Sequence, residues 1–177
     1  MNSIIPTLFL SAISPHLDQD IHQFNLERID LTQSGMIVLG TWALLNILLS
    51  PILAIKSTGA AKDFHQMNAL WNIVNLALAI YGYYTADNND ASLSLVETII
   101  EQTTIEKILL FNAGLDLAYI ATGFYLKERS KNNTKHQNRL LGFGNSLILQ
   151  GAWLFVFDLG FYLFQNKHAE SLFHLMN

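Results

Sequence analysis

The chain contains no cysteine. Disulfides, thiolate metal sites, thiol redox chemistry and a cysteine nucleophile are therefore excluded. Charge is also scarce: 14% of residues are charged, against about 25% in ordinary soluble domains. Proline is rarer still, with only Pro6, Pro15 and Pro51, so long helical stretches run without interruption. The net charge of −4 offers no basic footprint for nucleic acid.

What remains is apolar and arranged in blocks. The mean hydropathy of +0.27 is modest because polar stretches alternate with long apolar ones. Four of these have the twenty or so residues that a helix needs to cross the hydrocarbon core at about 1.5 Å per residue. They run at about 35–55, 67–84, 105–126 and 140–164. A soluble bundle needs a charged outer face on each helix, and the first two stretches offer none. The sequence thus predicts an all-α polytopic membrane protein: one domain over 1–177, with four transmembrane helices in an antiparallel bundle. Pro51 is placed to kink the first span near its end. Residues 1–30 read as an N-terminal extramembrane or interfacial segment. Within it, Ile4–Ile13 has no basic residue before it and only a poor cleavage site at Ser11-Ala12-Ile13-Ser14, which argues against a cleaved signal peptide. Between spans two and three, Leu93, Val96, Ile99 and Ile100 recur at helical spacing, which predicts a short amphipathic interfacial helix.

Charge asymmetry sets the orientation. The first and third connections carry Lys56, Lys62, Lys127, Arg129, Lys131, Lys135 and Arg139, seven of the ten basic residues. Because Lys and Arg in short loops mark the cytoplasmic side, both termini are expected on the non-cytoplasmic side.

Polar residues inside the spans are the functional leads. Span two carries His65, Asn68, Asn72 and Asn75 at steps of three and four, which is one helical face. Span three carries Asn112, Asp116 and Tyr119 in the same way. Span one adds Asn46, and span four adds Asn145, Gln150 and Asp158. Lipid cannot satisfy these groups, so the polar faces are expected to meet inside the bundle as an intramembrane polar column. Amides between membrane helices are most often packing glue. A carboxylate at mid-membrane is costly and is by default a functional candidate. Asp116, without a cation at its depth, is expected to be protonated and hydrogen-bonded to Asn or Gln, or else hydrated. Gly114, Ala118 and Thr122 form a small-residue ridge suited to close helix approach, within the bundle or in a dimer.

Several chemistries find no support. No span has a mid-membrane His pair for haem or a mid-span Lys for a Schiff base. No metal-ligand spacing, zinc-protease pattern or glycine-rich phosphate loop occurs. No cofactor is expected.

The blocks GMIVLGTWALLNI, FHQMNALWNIVNLALA, FNAGLDLAYIATGFYL and GFGNSLILQGAWLFVFDLGFY together resemble an uncharacterised family of small bacterial integral membrane proteins. The resemblance spans roughly Arg28 to Tyr162. It implies a bacterial cytoplasmic (inner) membrane origin and four spans, and it brings no activity. Small size, short loops and the lack of recognisable chemistry point to an accessory, assembly or scaffold component. Its expected partners are the lipid bilayer and a homo-oligomer or larger membrane complex. The alternative is a small proton-linked transporter with Asp116 as the protonated site, Asn72, Asn75 and Gln150 as coordinating groups and Asp158 at the outer mouth. A third reading, an enzyme acting on lipid through Asp116, Asp158, Tyr119 and His65, is weakened by the predicted depths, which set His65 and Asp158 far apart.

Overall fold

A computed structural model describes residues 5–175, with side chains described for residues 16–172. The chain folds into four helices: α1 (Ile5–Lys56), α2 (Gly59–Asp87), α3 (Leu95–Ser130) and α4 (Gln137–Leu175). No strand occurs among the described residues. The side chains of Ile4–Ile13, on which the signal-peptide question turned, lie outside the described residues.

Long helices follow from long stretches without breakers. α1 runs 52 residues, roughly 78 Å at 1.5 Å per residue. It continues through Pro51, so the expected kink does not end the helix there. The turn into α2 is short. Gly59 takes it with a φ of +57°, a left-handed conformation that glycine adopts without steric cost. α3 starts at a capping box. Ser94 Oγ accepts from the Glu97 backbone N–H, and the Glu97 carboxylate accepts from the Ser94 backbone N–H. These Ser94 bonds hold the Glu97 carboxyl below its usual range. The stretch expected to form a separate interfacial helix is instead the beginning of α3, continuous from Leu95. The cap fixes the start at Ser94, and nothing breaks the helix before the span.

α1, α3 and α4 are long and apolar enough to cross a membrane. α2 is not among them by the same measure, because Asn68, Asn72 and Asn75 dilute its apolar run. Successive helices run antiparallel, and α4 is the most heavily packed of the three candidate spans. α3 pairs with α4, α1 pairs with α2, and α2 packs on α4, while the backbones of α2 and α3 stay apart and the two helices touch through side chains, Trp71 against Tyr119. Glycines allow the α4 contacts. A Cβ at Gly123 would come within 2.6 Å of the Gly144 carbonyl oxygen, and Gly142 sits directly against the Ala60 carbonyl. The apolar centre is small, with Leu39, Ala79 and Leu154 packed under Trp71, Trp153 and Phe157.

α1 exceeds the ~30 Å hydrocarbon core by far. Its first half extends beyond the apolar run and packs beside the start of α3 and the end of α4, through Asn25–Thr98 and the stacked Phe24–His168 pair.

Candidate functional site

Asn68 is the centre of a polar group that joins three helices. Its Nδ2 donates to Asn46 Oδ1 at 2.9 Å, joining α2 to α1. Its Oδ1 accepts from Ser146 Oγ at 2.8 Å and from Gln150 Nε2 at 2.9 Å, joining α2 to α4. Gln150 Oε1 in turn accepts the Trp42 indole N–H at 3.0 Å, closing the ring back to α1. Trp42 stacks on Trp153 beside it, with centroids 4.4 Å apart. Asn72 and Asn75 continue the face along α2: Asn72 donates to the Asn68 carbonyl at 2.8 Å, and Asn75 donates to Asn72 Oδ1 at 3.4 Å. Every amide in this cluster bonds to protein, so the cluster acts as a three-helix clamp. Such bonds average about 0.6 kcal/mol each between membrane helices.

The carboxyl groups form a second, separate group. Asp116 of α3 and Asp158 of α4 are 3% and 7% exposed. Their side chains face each other across the α3–α4 interface. Two carboxyl groups can share a hydrogen bond only when one of them carries a proton, because two carboxylates have nothing to donate. The sequence led us to expect Asn or Gln beside Asp116, whereas its partner is the other aspartate. The reason is directional. Helical side chains lean toward their own N-terminus, so on antiparallel helices Asp116 and Asp158 lean toward each other. Asp116 Oδ2 keeps no hydrogen-bond donor.

The other sequence-predicted residues lie apart from both groups. Tyr119 packs edge-on against Trp71, with centroids 4.7 Å apart. His65 sits edge-on to Phe64, and its Nδ1 is buried without a partner. Asn112 and Asn145 are half-buried and make no side-chain hydrogen bond among the described residues.

A third polar group, which the sequence reading passed over, lies where the helices extend past the apolar run. Arg28 is 1% exposed. Its nearest anion is Glu101, with Nη1 and Oε2 3.8 Å apart, and its guanidinium nitrogens make no hydrogen bond. Burial pulls the Arg28 guanidinium below its ordinary value, and the Glu101 charge works the other way. Around it, Asn25 donates to Thr98 Oγ1 at 2.9 Å, Gln102 donates to the Gln165 carbonyl at 2.9 Å, and Gln165 donates to Thr32 Oγ1 at 3.2 Å. The signal for this cluster was present. Asn25, Arg28 and Thr32, like Thr98 and Gln102, continue the buried face of their helices at steps of three and four.

Among the described residues, no three His, Asp or Glu side chains come together to hold a metal ion. A family of unknown function (DUF6992) matches residues 38–159. The chain belongs to this family. The matched region contains the Asn68 clamp and the Asp116–Asp158 pair, and it leaves Arg28 and Gln165 outside. No curated protein and no solved structure matches the chain.

Proposed function

We propose that the chain is a non-enzymatic integral membrane component, an accessory, assembly or scaffold subunit that joins a second copy or a larger membrane complex. In this reading α2 is the fourth span. The basic connections face the cytoplasm of a bacterial inner membrane, and both termini lie on the other side. The observation that carries it is the one-sided packing of α3. Within the membrane segment α3 is seated on α4, and its opposite face is left bare: Gly114, Ala118 and Thr122 are exposed, and nothing stands within 4 Å of a Cβ at Gly114. The amides are meanwhile consumed in a closed clamp, which leaves few polar groups free for a substrate.

Purification in mild detergent tests this reading. A stable oligomer or complex is expected, and Gly114→Leu with Ala118→Leu should disperse it while the monomer stays folded. A lone monomer with no partner would overturn it.

One observation favours a second reading, a proton-linked carrier. It is the buried Asp116–Asp158 pair, since ionisable groups facing one another inside a membrane are the kind on which coupled transport is built. Four spans are few for a carrier, so this reading also needs a dimer. Proton flux in proteoliposomes that persists in Asp116→Ala would remove it.

A further inference from the structure

Near the basic ends of the helices, a groove of about 720 Å³ opens between α1, α2 and α4. Most of its lining is apolar and includes Pro51, Ile55, Leu70 and Phe143. Ile55 is 85% exposed, so this hydrocarbon has no protein cover. Two charged groups line the same groove, Asp63 of α2 and Arg139 of α4. They are opposite in sign, yet they form no ion pair with each other or with any other described side chain. Arg139 is held over the Phe143 ring, its guanidinium carbon 5.1 Å from the centroid, so the cation stands beside the apolar lining.

One cation and one anion, unpaired and set beside hydrocarbon, describe the complement of an amphiphile with one group of each sign. We propose that this groove binds a zwitterionic phospholipid with a primary-amine headgroup, a phosphatidylethanolamine. Arg139 holds the phosphate through its planar fork of donors. Asp63 accepts hydrogen bonds from the ammonium. An acyl chain covers Ile55, Leu70 and Phe143. The two charges also say what the groove disfavours. A phosphatidylglycerol brings an anion with no cation for Asp63. A phosphatidylcholine brings a quaternary ammonium with no N–H to donate. The site lies where the spans begin, at headgroup depth on the side that carries the basic connections. It does not use the α3 face proposed above for assembly.

The test uses the full chain in detergent, titrated with phosphatidylethanolamine, phosphatidylcholine and phosphatidylglycerol of identical acyl chains and read by native mass spectrometry. The wild type should retain phosphatidylethanolamine roughly tenfold better than phosphatidylcholine, as one charge-assisted hydrogen bond implies. Asp63→Asn should erase that preference, and Arg139→Gln should weaken retention of all three. Asp63→Lys should turn the preference to phosphatidylglycerol. Thermal unfolding of each variant checks that the fold is intact, and a variant that unfolds is replaced by Asp63→Gln or Arg139→Met. Equal retention of the three lipids by the wild type would overturn the proposal. So would a phosphatidylethanolamine preference that survives Asp63→Asn, or dimers that bury the groove and carry no lipid.

Discussion

Gln150 of α4 donates to Asn68 of α2 at 2.9 Å while its own carbonyl oxygen takes the indole N–H of Trp42 in α1. One side chain thus spans three helices, and both of its amide ends are used. The contacts inside the bundle are of two kinds: polar clamps that fix which helix faces touch, and glycine crossings that fix how closely.

Asn68→Ala is expected to cost more than any other single amide deletion. It removes the partner of Asn46, Ser146 and Gln150 together, and stranded buried polar groups cost about 1–3 kcal/mol. Thr41→Val, on the exposed side of the same bundle and bonded only to its own helix, should lie within about 0.5 kcal/mol of wild type. Reversible unfolding in mixed micelles measures both.

Glycine substitutions should split sharply by position. Gly123→Ala sets a methyl against the Gly144 carbonyl and Ile148, and overpacking of this kind costs about 1–3 kcal/mol. Gly114→Ala meets open space and should leave monomer stability unchanged or raised, since alanine is the better helix former. Thermal unfolding of the two variants side by side is sufficient.

Arg28→Met should be neutral or stabilising. The guanidinium is buried without a hydrogen bond among the described residues, and its nearest described anion stands 3.8 Å away on a half-exposed side chain. Met removes the buried charge and its desolvation cost, and Glu101 is not left as a stranded buried ion because its side chain reaches water. Glu101→Gln, by contrast, strips the buried cation of its counter-charge and should destabilise. A lower melting temperature for Arg28→Met than for wild type would contradict the reading.

A double-mutant cycle tests whether Asp116 and Asp158 act as a pair. Leu at either position leaves the other carboxyl alone among apolar neighbours, while Leu at both removes the problem. The coupling is therefore expected to be favourable by roughly 0.5–3 kcal/mol. Additive effects of the two substitutions would mean that the carboxyl groups do not share a proton.

The sequence by itself determined the class of the protein and the composition of its helix faces. Long uncharged runs without breakers form long apolar helices, and residues three and four apart on a helix share a side, so Asn68, Asn72 and Asn75 were bound to lie together. The four helices and their order were legible in the same way, as was the family, from the blocks that carry its match. Helical periodicity says which residues share a face, but not which face of which neighbour they meet. Only the tertiary structure decided that Asn68 takes Gln150 and Ser146, that Asp116 turns to Asp158 rather than to an amide, and that α2 meets α3 through side chains and not backbone to backbone. Those choices rest on the crossing of α4 with its neighbours, set by the backbone contacts at Gly123, Gly142 and Gly144. The Arg28 cluster was missed for a related reason. A polar stretch next to a span reads as solvated until three helices are seen to extend past the apolar run together and bury it.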